Sequence, residues 1–330
     1  RQMCIRDRLN LMYPADYNHF FNFEISLLAN PTNSEVKVIN DKIQPFFTRT
    51  TKNELGVPPT NNDKIIKVSS SSEELQLFNI LFSRYKTNQL ALFAKIMQLE
   101  SSPSMLLEKL DLKEFEELLD LSGNHEDLVE YIDYSQDIED LVNQIEITSK
   151  MQALLSLIKD IVSQSKTAIT WCIFVKTMYD LKHYLNSMGI RAEVISGSVH
   201  QEERNEIISR FKNKEIDILI TNPHTLAESV SLHQTCHDAI YFEYSYNLVH
   251  LLQSKDRIHR LGLKDDDYTQ YYYFQQNYSL ENGNYSLGER IYNRLSEKEQ
   301  LMLDAIDKHE LEILPTEDED LVFFFKNVID

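Results

Sequence analysis

Three side chains in the C-terminal half of the chain have the types and the spacing to bind phosphate. Gln253, Arg257 and Arg260 occupy positions i, i+4 and i+7 of a segment that we predict to be a helix beginning near Tyr246 or Asn247. This spacing places the three polar side chains on one face of a helix. The opposite face carries apolar residues that would pack on a sheet, namely Leu248, Leu251 and Ile258. Guanidinium groups stay charged near neutral pH and offer a planar fork of donors to phosphate oxygens, although the same spacing is also typical of a solvated amphipathic helix.

The elements that would position this helix alternate between strand and helix. Short apolar runs bounded by polar loops predict buried strands at residues 168–175, 191–195, 216–220, 239–242 and 268–274. Helical spacing predicts helices between them, at residues 151–162, at residues 181–188 and after a capping box formed by Ser198 and Gln201. Such alternation is typical of a mainly parallel sheet with helices on both faces, so the predicted fold class is α/β.

Further elements flank this core. A strand is predicted at residues 63–68, followed by a helix that Ser72 and the two acids after it would cap and that runs to about residue 99. Two acidic helices are predicted near residues 104–121 and 125–146, and a closing helix at residues 287–306. A charge run of this kind is usually a solvated face, while a docking surface for a basic partner, or autoinhibition by imitation of DNA, is the alternative.

The segment with the two arginines resembles a helicase motif. Residues 253–262, QSKDRIHRLG, are similar to motif VI of the Swi/Snf-type branch of superfamily-two helicases, which has the form QxxDRxHRxG. The resemblance implies the second RecA-like lobe of a DNA translocase, whose motif VI arginines reach across to ATP held by the first lobe. It implies catalytic roles for Arg257 and Arg260, with Arg260 slightly preferred, and places Gln253 at the same ATP site. Asp256 has two interpretations. It is either a partner that orients an arginine side chain or an acidic residue on the helix surface.

The segment before it resembles motif V with one departure. Residues 221–232, TNPHTLAESVSL, have the order and spacing of the family pattern sT.aGG.GiNL, but Ala227 and Ser229 stand where glycines are usual. Because glycine permits positive φ and close approach of a ligand, the departure weakens the expected ATP contacts, which fall on Glu228 and Ser229. The resemblance also implies a set of loop residues that face DNA: Thr221, Asn222, His224 and Thr225. A lone loop histidine such as His224 is more often structural or solvated.

Two more positions are candidates for DNA contact. Residues 196–198, SGS, resemble the family's dGst step, where a turn exposes backbone N–H groups at a helix N-terminus. Ser198 would contact a DNA phosphate or simply cap the helix. Lys176, at the end of the predicted strand that takes the place of motif IV, is a similar candidate.

The N-terminal part resembles the exit from a first lobe. Residues 43–59 are similar to the family stretch lrp..lRrtK.e...lPp, which would place Arg49 and Lys52 near the hinge between the lobes; ordinary surface charge is the alternative. The sequence contains no GxxxxGKS/T motif and no DExx motif after a candidate strand, so ATP and Mg²⁺ would be bound mainly by a first lobe outside these residues. Residues 1–8, RQMCIRDR, resemble translated read-through of a sequencing adapter, and we expect the gene to extend upstream; a genuine N-terminus is the alternative.

Composition and charge restrict the classes of function. The net charge is −19, and residues 111–147 contribute −12 of it, with thirteen acidic residues against one lysine. The chain is therefore not a uniformly basic nucleic-acid binder, although a local DNA site is compatible with this distribution. No apolar run approaches a membrane span and no signal peptide is visible, so no membrane partner is predicted. The three cysteines have no metal-like spacing, even where His233 and His237 flank Cys236, so no metal site is predicted. They predict an intracellular, cytoplasmic protein without structural disulfides, and we also expect a prokaryotic source.

The predicted domain order follows from these segments. After residues 1–8 come the end of the first lobe and the interlobe linker at 9–60, a strand with an acidic helical insertion at 61–149, the second RecA-like lobe at 150–275 and a C-terminal helical extension at 276–330. The leading hypothesis is an ATP-driven translocase on double-stranded DNA, with the first lobe of the same gene product as its partner. Two alternatives stay open: a catalytically inactive stand-alone lobe that binds a protein partner through residues 103–147, and the motor subunit of a restriction or phage-defence system.

Overall fold

The computed structural model describes residues 50–108, 135–223, 225–226, 230–281, 283–307 and 317–326, together with Ser34 and Val38. The chain divides into two compact units, one made of Arg1–Thr50 and Glu297–Pro315 and the other of Thr51–Ser296 and Thr316–Asp330. In the first unit, the described residues are mainly the end of one helix. The sheet and all the contacts discussed below belong to the second unit.

The secondary structure alternates as the sequence predicts. In chain order the elements are β1 (Lys64–Ser69), α1 (Ser72–Tyr85), α2 (Gln89–Ser101), a 3₁₀ turn (Pro103–Leu107), α3 (Gln136–Gln144), α4 (Ser149–Ser163), β2 (Ala168–Trp171), α5 (Val175–Ser187), β3 (Ala192–Ile195), α6 (Gln201–Lys212), β4 (Ile218–Thr221), β5 (Asp238–Tyr241), α7 (Leu248–Lys255), β6 (Gln270–Leu280), β7 (Gly283–Tyr285), α8 (Leu287–Asp307) and α9 (Glu317–Phe325). None of the helices in the described ranges is long and apolar enough to cross a lipid bilayer.

One sheet organises the second unit. Its strands run in the order β1-β6-β5-β2-β4-β3, all parallel, and β7 pairs antiparallel with the end of β6. Alternate residues of the strands pack into two separate cores, one on each side of the sheet. Ile169 and Leu219 belong to the first core, and Ala168 and Ile218 belong to the second. Side chains of α1, α2 and α7 complete the first core, and side chains of α4 and α5 complete the second. The predicted α/β class, with helices on both faces of a parallel sheet, is confirmed.

The first strand belongs to the same sheet as the later ones. β1 pairs with β6 in parallel from Lys64 opposite Tyr272 to Ser69 opposite Asn277. The sheet therefore reaches beyond the range 150–275 that the sequence assigns to the second lobe. The domain boundaries stay a prediction, but the strand placed outside that lobe is hydrogen-bonded into its sheet.

The single helix predicted after β1 is two helices. The first ends at Tyr85, and the side chain of Asn88 accepts a hydrogen bond from Ala91 N at 3.0 Å at the start of the second. Asparagine favours such breaks because its side chain bonds nearby backbone groups outside the helical conformation. The predicted cap is also displaced by one residue, since Ser71 and Glu74 form the capping box of α1.

The strand predicted at residues 168–175 is shorter than expected. β2 ends at Trp171, because the N–H groups of Ile173 and Phe174 donate to the Glu243 carboxylate at 2.6 and 3.0 Å. The apolar run itself does not indicate that the strand ends at Trp171, because the acceptor of these two hydrogen bonds lies about seventy residues away along the chain. The sequence pattern alone therefore extends the strand too far.

The capping box predicted for Ser198 and Gln201 is wrong. α6 begins at Gln201 with His200 as its N-cap, and no side chain caps it. The hydroxyl of Ser198 lies instead 2.9 Å from the hydroxyl of Ser196, within the turn that follows β3.

Only parts of the two predicted acidic helices fall within the described residues. Residues 103–107 form a 3₁₀ turn rather than the start of an α-helix, and residues 109–134 lie outside the described part of the chain. α3 covers the later part of the second predicted helix, with Ile138 and Val142 buried. The closing helix predicted at residues 287–306 is confirmed as α8.

Candidate functional site

The two candidate arginines lie on a turn, not on a helix face. α7 begins after Asn247, whose side chain accepts from two backbone N–H groups of the first turn at 3.0 and 3.2 Å. The helix ends at Lys255, so Arg257 and Arg260 follow it. The prediction that both arginines share one helix face with Gln253 is therefore wrong.

Tertiary contacts shape this turn. The carbonyl oxygen of Arg257 accepts a hydrogen bond from Leu232 N at 3.1 Å, and Ile258 is fully buried. The turn closes at Gly262, whose φ of +105° strains any other residue. A Cβ at Gly262 would also lie 2.9 Å from Nε2 of His233. The final glycine of the segment is thus required both by its backbone angle and by the neighbouring ring.

The two guanidinium groups have different surroundings. Arg257 is half-buried, with Nη1 3.5 Å from Val230 O, and burial followed by the positive charge of Arg260 lowers the pKa of Arg257. Arg260 is exposed, and its side chain donates no hydrogen bond to the residues that the structure describes. Burial lowers the pKa of His233, and the charge of Arg260 lowers it further. Positive charge is therefore concentrated at this turn, and Gln253 is half-buried in the last turn of α7 beside it.

A lysine from the N-terminal segment contacts the same turn. Lys52 Nζ donates to Asp256 Oδ1 at 2.5 Å and to His259 O at 2.6 Å, and it lies 3.3 Å from His259 Nδ1. Asp256 therefore bonds a lysine 204 residues away, which neither of its two predicted roles included. Arg49, the other residue expected near the hinge, lies outside the described residues.

His259 is held between this N-terminal segment and the turn. Its Nε2 lies 2.8 Å from Pro58 O, and a carbonyl oxygen only accepts, so Nε2 carries the proton and Nδ1 accepts from Lys52. The ring is neutral in this arrangement. Burial lowers the pKa of His259 and the charge of Lys52 lowers it further, against the opposing effect of the Pro58 carbonyl.

We expect the free energy of unfolding to fall as the pH drops below about 6.5. The pKa values of His233 and His259 are lowered in the folded state, so the unfolded chain takes up protons first. Their contribution is fully present above the unfolded value of about 6.5 and is lost as the pH falls towards the lowered folded values. Because His259 is only partly buried, its share is on the order of 1 kcal/mol or less. Urea unfolding at about pH 8 and pH 5.5 measures the loss; His259→Gln should reduce it, and an unchanged loss in this variant would contradict the assignment.

The candidate DNA-binding residues gather at the carboxyl ends of three neighbouring strands. Lys176 follows β2, Ser198 follows β3, and Asn222 and Thr225 follow β4. Because parallel strands end at the same edge of a sheet, these residues lie on one side of it, where α/β proteins commonly bind ligands. Thr221 is fully buried, and its hydroxyl donates to a β3 carbonyl at 2.8 Å, so in this structure it joins β4 to β3.

The exposed candidates have local partners. Lys176 Nζ lies 3.1 Å from Glu108 Oε1, in an ion pair that is partly exposed. Asn222 Oδ1 accepts the backbone N–H of Thr225 at 2.7 Å, which sets the shape of the loop after β4. The remaining candidates lie outside the described residues: His224, Glu228 and Ser229.

Glu243 is a residue of this edge that the sequence did not single out. It follows β5, is 4% exposed and accepts the two backbone N–H groups that precede α5. Its carboxylate thereby fixes the start of α5 and the position of Lys176 in the first turn. The one sequence signal for Glu243 was its position as an acidic residue directly after a buried strand. Its hydrogen-bond donors lie about seventy residues away along the chain, so the local sequence does not reveal them.

Within the described ranges, no group of three or more histidine, cysteine, aspartate or glutamate residues is arranged to hold a metal ion. Cys236, between His233 and His237 in sequence, is fully buried, and burial raises the pKa of its thiol to about 12. The thiol therefore stays protonated and is a poor metal ligand.

Part of the chain is similar to a known domain family. The model of the helicase conserved C-terminal domain matches residues 149–262. Helicase SWR1 of Candida albicans is 26% identical over 153 residues, which make up 46% of this chain and 9% of that protein. The chain spans about a tenth of the length of the curated relatives that it matches.

Two solved structures of ATPase domains have a fold similar to that of this chain. The C-terminal part of the Fun30 ATPase domain superposes with a TM-score of 0.52 at 14% identity, over 78% of this chain and 100% of that chain. The SWI2/SNF2 ATPase core domain of Sulfolobus solfataricus gives a TM-score of 0.52 at 15% identity, over 97% of this chain and 62% of that chain. At these identities the likeness bears on the fold alone. The fold is similar to that of the C-terminal part of the Fun30 ATPase domain. The expected prokaryotic source stays a prediction.

Proposed function

We propose that this chain contains the C-terminal lobe of a Snf2-type helicase and that the lobe completes an ATP site by presenting Arg257 and Arg260 to ATP bound on another RecA-like lobe. The sequence has no GxxxxGKS/T motif and no DExx motif after a candidate strand, and in such enzymes these two motifs hold the β-phosphate and Mg²⁺. ATP and Mg²⁺ would then be bound mainly by the other lobe. The complete enzyme would be a DNA-dependent ATPase that translocates on double-stranded DNA.

The observation that carries the proposal is the exposed guanidinium of Arg260 beside the half-buried one of Arg257. Their charges are close enough that Arg260 lowers the pKa of Arg257. Two like charges held together repel each other, so the arrangement becomes more stable when an anion binds to both. A triphosphate fits, because guanidinium forks match phosphate oxygens in charge and geometry.

The arginines would have different tasks at such a site. An arginine placed at the γ-phosphate offsets the charge that develops as the bond breaks, and it contributes about 10³- to 10⁵-fold in rate. Arg260, being exposed and without a hydrogen-bond acceptor among the described residues, is assigned this task. Arg257 and Gln253 would contact the same phosphates, and Glu228 and Ser229 are proposed as further ATP contacts.

The edge formed by the ends of β2, β3 and β4 is the proposed DNA surface. Lys176, Ser198, Asn222 and Thr225 would contact the sugar–phosphate backbone, and His224 is proposed to join them. Contacts of this kind fix the register of a protein on DNA without reading its sequence. The ion pair of Lys176 with Glu108 is compatible with this role, because a partly exposed pair is weak enough for a DNA phosphate to replace the carboxylate.

We expect the 330-residue chain alone to show no ATP hydrolysis above background, with or without double-stranded DNA. The reason is that no residue motif in the chain holds the β-phosphate and Mg²⁺. Steady-state phosphate release measures this, and addition of a RecA-like lobe that carries both motifs should restore DNA-stimulated turnover. Turnover by the chain alone would refute the two-lobe proposal. A mixture that binds DNA but never turns over would favour the inactive interaction module instead.

A further inference from the structure

Lys52 makes contacts that the proposed function does not explain. An ammonium group has three N–H donors, and three acceptors converge on this one: Asp256 Oδ1 at 2.5 Å, His259 O at 2.6 Å and His259 Nδ1 at 3.3 Å. We call these three contacts the Lys52 clamp. All its acceptors belong to residues 256–259, which enclose Arg257 and directly precede Arg260.

The segment that carries Lys52 is itself held in place. The carbonyl oxygen of Lys52 accepts from Leu55 N at 3.2 Å and from Val57 N at 3.0 Å, which closes a compact turn. Gly56 lies in that turn at a φ of +73°, and Val57 is buried at 4% exposure. The ammonium group therefore projects from a folded turn and not from a loose strand.

A second tether joins the same two segments. His259 donates from Nε2 to Pro58 O at 2.8 Å, six residues after Lys52. The arginine turn is thus bound to the N-terminal segment at two points, through the clamp and through this imidazole. The carbonyl of His259 follows the C-terminal end of α7, where a cation is favoured by the helix dipole.

Stability alone does not account for these contacts. The side chains of Lys52 and Asp256 are 39% and 58% exposed, and ion pairs with this exposure contribute little to folding. What three converging acceptors do provide is a defined position for the backbone of the turn. Position matters here, because a misplacement of about 1 Å in a catalytic group can lower a rate by about 100-fold.

We propose that Lys52 is a positioning residue, which holds the turn of residues 256–259 so that Arg257 and Arg260 face the phosphates. The inference rests on the proposed function of these arginines. Lys52 itself touches neither ATP nor DNA in this assignment. It acts through the carbonyl of His259 and the carboxylate of Asp256.

The clamp can be tested in the full chain without turnover. Lys52→Met keeps the length of the side chain and removes its charge and donors. Lys67→Met is the matched control, because Lys67 is an exposed lysine on β1 whose Nζ lies 3.0 Å from Glu289 Oε1. The first measurement is the titration of the His259 ring by NMR. The charged groups that act on this ring are Lys52, Asp256 and Lys255.

Loss of Lys52 should raise the pKa of His259, since a neighbouring positive charge and a donor to Nδ1 disappear. The second measurement is hydrogen exchange at the amides of residues 257–262, which should become about 3- to 30-fold faster. Lys67→Met should change neither value. An unchanged His259 titration together with unchanged exchange in Lys52→Met would overturn the clamp.

The positioning role has its own readout once the other RecA-like lobe is present. Lys52→Met should lower kcat about 10-fold or more with a smaller change in KM for ATP. Lys52→Arg should recover little, because a planar fork cannot direct three donors at one compact site. A normal kcat in Lys52→Met, with altered exchange, would overturn the positioning role. If Arg260→Ala turned over normally, the proposed function would fail, while the titration and exchange results would still report on the clamp.

Discussion

Replacement of Arg260 by alanine should lower the rate of ATP hydrolysis by about 10³- to 10⁵-fold in a protein that combines this lobe with a Walker-A-containing lobe. This loss corresponds to about 4 to 7 kcal/mol in the activation barrier. The expected cause is the missing positive charge at the γ-phosphate as its bond breaks. The fold should survive, because Arg260 is exposed and its side chain bonds no described residue.

The controls separate this role from a loss of structure. Arg260→Lys should also be slow, because a point charge does not reproduce the planar fork. Arg210→Ala is the matched arginine control, since Arg210 on α6 is 40% exposed and lies 3.4 Å from Glu193; its turnover should be near that of the parent. Affinity for double-stranded DNA, measured at one fixed salt concentration, should change little in Arg260→Ala. Normal turnover would refute the assignment, and an equal loss of turnover and DNA binding would indicate misfolding or a DNA role.

Replacement of Glu74 by alanine should destabilise the second unit by about 3 to 5 kcal/mol. Glu74 is 1% exposed and joins three elements through its carboxylate. Besides capping α1, Oε2 accepts from Ser149 Oγ at 2.8 Å and from Gln276 Nε2 at 2.9 Å, while Oε1 accepts from Ser149 N at 2.9 Å. Removal of the carboxylate leaves the buried amide of Gln276 on β6 and the partly buried donors of Ser149 on α4 without their partner, which is more costly than the loss of the bonds alone.

Urea unfolding followed by far-UV circular dichroism measures this change. Glu74→Gln should lie between alanine and the parent, because one oxygen still accepts while the new NH₂ group opposes a donor. Glu73 provides the matched control. It is the adjacent, less buried acid in the first turn of α1, and its Oε1 accepts from Ser72 Oγ at 2.8 Å, so Glu73→Ala should leave the unfolding midpoint near that of the parent. A midpoint for Glu74→Ala equal to that of Glu73→Ala would contradict the role assigned to the buried carboxylate.

The sequence by itself determined the fold class and the approximate place of nearly every strand. A strand that is buried on both faces must be a short, continuous apolar run, and this property is local. The run at residues 216–220 contains most of β4 (Ile218–Thr221), and the run at 239–242 nearly coincides with β5 (Asp238–Tyr241). The sequence also indicated the family that the chain resembles, because the residues of the motif VI pattern stand together in ten consecutive positions, QSKDRIHRLG.

The sequence did not predict the conformation of those ten residues. Helical spacing from Gln253 to Arg260 predicts one continuous face, and the propensities of the segment do not contradict it. The helix ends at Lys255 because the following backbone is held elsewhere, at Leu232 through the carbonyl of Arg257 and at Lys52 through the carbonyl of His259. The donors of both bonds are distant in sequence, so no periodicity within the segment records them.

The same reason explains the other differences between expectation and structure. From the sequence, Thr221 is expected to be a loop residue that faces DNA. Its hydroxyl instead donates a hydrogen bond to a carbonyl oxygen of β3, 26 residues earlier. Glu243 ends the strand at Trp171 from about seventy residues away, and Lys52 reaches His259 across 207 residues. Strand and helix formation depend on side chains within a few residues, which the sequence displays directly. The bonds that hold the arginine turn and shape the proposed DNA edge join groups that only the folded sheet brings into contact, so only the tertiary structure could decide them.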